Sequence, residues 1–89
     1  MEQEPAAYRD VPTAMVFDVF AETATRLISR YNRLSDTAAT QEDRAAWWEK
    51  LMRLRDEKLA VPAYDREQLI AHIQTWTAEI ERLESAGRG

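Results

Sequence analysis

Leu69, Ile73, Trp76, Ile80 and Leu83 recur at spacings of four, three, four and three through an otherwise polar stretch. At about 100° per residue they fall within a stripe roughly 80° wide, the a/d seam of a helix packed along another helix. No strand gives that rhythm. The pattern predicts a helix over about 66–86, with Asp65 as N-cap and Gln68 completing a D-x-x-Q box. Gly87 occupies the C′ place that ordinarily stops a helix. One narrow seam cannot hold a helix in water, so the remaining chain must cover it.

A second seam, Phe17, Phe20, Ala24, Leu27, Tyr31 and Leu34, is widened by Val16, Ala21 and Ile28 to an arc of about 140°. It predicts a helix over about 13–34 that touches two neighbours, opened by Pro12 and Thr13. Asp18 and Glu22 lie early and Arg26, Arg30 and Arg33 late, as the helix dipole favours. Met15 and Val19 fall on its charged side, near Arg26. Residues 35–39 form a short polar connection of the kind that joins antiparallel helices. Thr40 then resembles an N-cap, with Asp43 at the capping-box position.

The stretch 41–60 reads as a helix with two apolar edges. Ala45, Trp48, Met52 and Leu59 share one; Trp47, Leu51, Leu54 and Val61 share the other. Between them on the helical wheel lie Arg44, Arg55 and Lys58, where an ordinary amphipathic helix is most apolar. Such local conflicts gather at functional or strained places. Val61-Pro62 ends the helix, because a residue before proline is pushed out of the α region.

These elements predict an all-α antiparallel three-helix bundle, with 1–12 as a flexible N-terminal arm and 87–89 as a tail. The alternative is a helical hairpin stabilised as an intertwined dimer, since narrow seams belong to coiled coils. The last turns of the third helix carry Glu79, Glu81 and Glu84 against Arg82, which opposes its dipole. In an up-down-up bundle the first and third helices run parallel. Glu79 or Glu84 is then expected near Arg30 and Arg33.

Composition narrows the chemistry. Eighty-nine residues make one domain with a small core. There is no cysteine, which excludes disulfides and thiolate metal sites and suits a reducing cytoplasm. No basic-then-apolar leader opens the chain and no run is long enough to span a membrane, so a cytoplasmic protein is expected. The predominance of Arg over Lys hints at a GC-rich bacterial genome. His72 is the sole histidine and has Leu69 and Trp76 a turn away on either side, so no metal and no cofactor are expected. Both glycines lie in the last three residues, which removes phosphate-cradling loops. A net charge of −4 with interleaved signs argues against a nucleic-acid partner. Arg44, Lys50, Arg53, Arg55 and Lys58 could hold a strand beside the tryptophans, but five acidic residues cancel them within the same helix.

Lys58, the loop 61–64 and Asp65-Arg66-Glu67 resemble the lysine, loop and Asp…Arg-Glu run of the small helical chorismate mutases. The resemblance covers about ten residues. It implies a dicarboxylate held between Arg and Lys side chains inside a helical dimer. The chain departs from that pattern in its shorter Lys-to-Glu spacing and in lacking a second helix after the Arg-Glu run.

Protein–protein recognition accounts for more of the sequence. Trp47 and Trp48 stand about 100° apart, so one narrow seam cannot hold both. The expectation is a non-catalytic adaptor, regulator or inhibitor that binds a protein partner or a second copy of itself. Its face would comprise Trp47, Leu54, Arg55 and Lys58, with Met15 and Val19 as a second patch.

Overall fold

The computed structural model describes residues 5–88. It is an all-α three-helix bundle of α1 (Thr13–Asp36), α2 (Gln41–Ala60) and α3 (Arg66–Arg88), preceded by a 3-10 turn at Ala6–Tyr8. The wide apolar arc of α1 makes it the common partner: α1 packs along both α2 and α3, whereas α2 and α3 share no extensive interface. The three helices occupy an open V over α1 rather than a closed triangle.

The core lies mainly between α1 and α3. Val16, Phe20 and Leu27 of α1 and Leu69 and Ile80 of α3 are completely enclosed. Phe20 and Trp76 stack at a tilt with ring centroids 5.1 Å apart. Each such apolar side chain stabilises the fold by roughly 1.5–3 kcal/mol on burial. Within α2 only Leu51 and Leu54 are buried, and Val61 follows just past its end.

The helix ends follow their capping chemistry. The Thr40 hydroxyl accepts from the Asp43 amide at 3.0 Å. Asp65 accepts from the Gln68 amide at 3.2 Å and from its side chain at 2.6 Å, so the D-x-x-Q box forms. α1 runs past residue 34 to Asp36 because Ser35 is buried and donates to the Arg44 carbonyl at 3.1 Å. Arg30 and Glu84 meet at 3.4 Å, so the acidic end of α3 does find a cation on α1.

Two expectations change. Gly87 does not stop α3, which continues to Arg88, and Gly87 has no positive φ. Gly87 itself is therefore not the left-handed residue of a Schellman-type ending. The arm expected over 1–12 is, for residues 5–12, seated on the bundle. Tyr8 and Val11 pack against the core, and the Arg66 guanidinium donates to the Tyr8 carbonyl and, at 3.2 Å, to the Thr13 hydroxyl. Residues 1–4 and 89 lie outside the described residues. No described helix is long and apolar enough to cross a membrane.

Candidate functional site

The two apolar edges of α2 meet different fates. The edge of Trp47, Leu51, Leu54 and Val61 turns inward. Trp47 is half-buried with its ring 5.9 Å from that of Tyr31, and the Lys50 ammonium lies 5.4 Å above it. Leu54 is only 3% exposed. The other edge faces outward: Trp48 is 51% exposed, Met52 36% and Leu59 79%. This corrects the expected face. Trp47 and Leu54 close the bundle, because the Ser35–Arg44 hydrogen bond and the Tyr31–Trp47 contact fix the roll of α2.

Arg55 is exposed beside the outer edge, and Lys58 is half-buried at its inner margin. Met15 and Val19 are exposed at 56% and 39%, but they lie on the flank of α1 away from α2 and do not join this surface. Sequence reasoning named Trp48, Met52 and Leu59 as an edge without assigning them to the surface. The wheel shows that two edges exist; only their fit to α1 shows which one is used.

A cleft of about 410 Å³ opens between α2 and α3, floored by Leu27 and Tyr31 and walled by Lys50, Arg53, Glu57, Glu79 and Arg82, among others. Part of its polar wall is internally paired. The Tyr31 hydroxyl donates to Glu79 at 2.8 Å. Arg82 donates to both Glu79 oxygens, from Nε at 2.7 Å and Nη2 at 2.9 Å. Arg53 reaches Glu49 at 3.4 Å. Arg82, then Tyr31, hold Glu79 below the usual carboxylate range, although burial opposes them. Burial first, and then its bond to Glu79, push the Tyr31 phenol above its ordinary value. The Glu79 hydrogen bond raises Arg82 further. The proton therefore stays on Tyr31 and the charge on Glu79.

The cleft carries three cations, but Glu79 already occupies Arg82 and the floor side chains are buried. Lys58, Arg66 and Glu67, which carry the chorismate-mutase resemblance, do not line it. Lys58 sits in the last turn of α2, and Arg66 ties the N-terminal segment to α3. His72 is half-buried, 2.8 Å from the Gln68 carbonyl and edge-on to Trp76. Among the described residues, no three or more His, Asp or Glu side chains gather as metal ligands. No family model, curated protein or solved structure matches this chain.

Proposed function

We propose that this chain is a small non-catalytic protein–protein interaction module, acting in the cytoplasm, whose contact surface is the outer edge of α2. The observation that carries the reading is the half-exposed Trp48 aligned with Met52 and Leu59 on one helix edge, with Arg55 beside it. Trp and Arg dominate the binding energy of many interfaces. Trp48 leaves half its surface in water and takes no part in the core cluster. The cysteine-free composition supports a reducing compartment.

The reading separates structure from binding on a single helix. Trp48→Ala and Leu59→Asp should leave the unfolding midpoint of the monomer unchanged and weaken association, measured by molar mass or against an isolated partner. Association that survives both changes would contradict the reading. The anion-binding alternative finds less support, because two of the three cleft cations, Arg53 and Arg82, are met by Glu49 and Glu79. The nucleic-acid alternative is opposed by the equal numbers of acidic and basic residues on α2.

A further inference from the structure

The two walls of the cleft between α2 and α3 are unlike. α2 lines it with Lys50, Arg53 and Glu57, long side chains on one face of the helix. α3 answers in part with Thr75 and Ala78, which are too short to close the gap. The slot that remains, about 410 Å³, lies in the size range of small-molecule sites. Beneath it are the buried, apolar side chains of Leu27, Leu54 and Trp76. A slot between two helix walls with such a floor suits a flat apolar body.

The charges on the walls differ in what they have left to offer. Arg82 is clamped on Glu79, which also accepts from the Tyr31 hydroxyl, and Arg53 reaches Glu49. Among the described residues, no carboxylate lies within ion-pair distance of Lys50, whose ammonium is 5.4 Å above the Trp47 ring. An ammonium carries three donors, so a ligand oxygen can be added without giving up the ring. Glu57 stands two turns further along α2, about 10 Å away, and repels an anion from that end of the slot. One cation without an acidic partner matches a single negative charge. It does not match the dicarboxylate implied by the chorismate-mutase resemblance.

We propose that the cleft binds a small monocarboxylate with a planar apolar body, its carboxylate at Lys50 and its body over Leu54 and Trp76. The site goes beyond the protein-binding surface and is separate from it. Lys50, Arg53 and Glu57 lie about 150° around α2 from Trp48, Met52 and Leu59, so both can be occupied at once. Lys50 is exposed at the rim, where an ion pair contributes little, so the apolar body supplies most of the affinity and the dissociation constant is roughly millimolar.

Naphthoate is the probe, with naphthamide as the neutral compound of the same shape, and binding to the isotope-labelled full chain is read from amide shifts. Naphthoate should shift the Thr75 and Ala78 amides saturably and leave the Trp48 indole N–H in place. Naphthamide should bind about fivefold more weakly. Lys50→Gln should weaken naphthoate by about the same factor and leave naphthamide unchanged, and Lys50→Arg, which keeps the charge, should retain naphthoate binding. The exposure of Lys50 keeps these variants folded. No saturable shift at Thr75 and Ala78, equal affinity for the two compounds, or equal loss of both in Lys50→Gln would overturn the proposal.

Discussion

Tyr31 touches all that the bundle joins. Its ring lies against Trp47 of α2, and its hydroxyl is bonded to Glu79 of α3, which Arg82 clamps from the solvent side. Tyr31→Phe removes a hydrogen bond to a charged group and is expected to cost about 1–3 kcal/mol by denaturant unfolding. The direction of each shift fixes the pH dependence. The lowered Glu79 pKa contributes stability above the unfolded carboxylate value, and that contribution is lost as pH falls through the folded value. The raised Tyr31 pKa contributes below the ordinary phenol value of about 10 and is lost as pH rises through the folded value. Glu79→Gln should therefore flatten part of the acid limb of a stability–pH curve, and Tyr31→Phe part of the alkaline limb. Sequence spacing placed Tyr31 on the seam of α1. It could not show the bond to Glu79, because which carboxylate reaches the phenol depends on the register of α3 against α1.

At the scale of elements, helix limits were legible wherever a side chain enforces them. Thr40 and Asp65 cap as their sequence motifs indicate, and Thr40→Ala is expected to cost about 1 kcal/mol, read from the thermal or denaturant midpoint. Gly87 lies within α3 because a glycine permits a left-handed ending without compelling it. Its missing Cβ would meet nothing within 4 Å, and its φ is not positive. Gly87→Ala should thus stabilise the chain by up to about 1 kcal/mol. α2 is the least legible helix. Its inward edge has Trp47, Leu51 and Leu54, and its outward edge has Trp48, Met52 and Leu59, so apolar content alone does not rank them. The ranking came from α1, through Ser35 and Tyr31. Leu54→Ala should cost about 2–5 kcal/mol, as expected for a buried leucine.

For the whole molecule, the three-helix architecture follows from the widths of the apolar arcs. α1 has the widest and serves both neighbours; α3 has a narrow one and serves α1; α2 divides its apolar residues between the bundle and the solvent. The parallel ends of α1 and α3 bring Arg30 to Glu84, a half-exposed pair that should contribute under about 1 kcal/mol and weaken with salt. The segment before α1 was the part least visible in sequence. Tyr8 and Val11 have no periodic company there, and their docking depends on Arg66, which lies far along the chain.

The central claim is that α2 uses one edge to fold and keeps the other for binding. The most direct measurement is the denaturant stability of Trp48→Ala at a concentration where the chain is monomeric, beside that of Leu54→Ala. Trp48→Ala should stay within about 0.5–1 kcal/mol of the parent, as an exposed substitution does. A loss matching that of Leu54→Ala would place Trp48 in the fold and remove the binding edge.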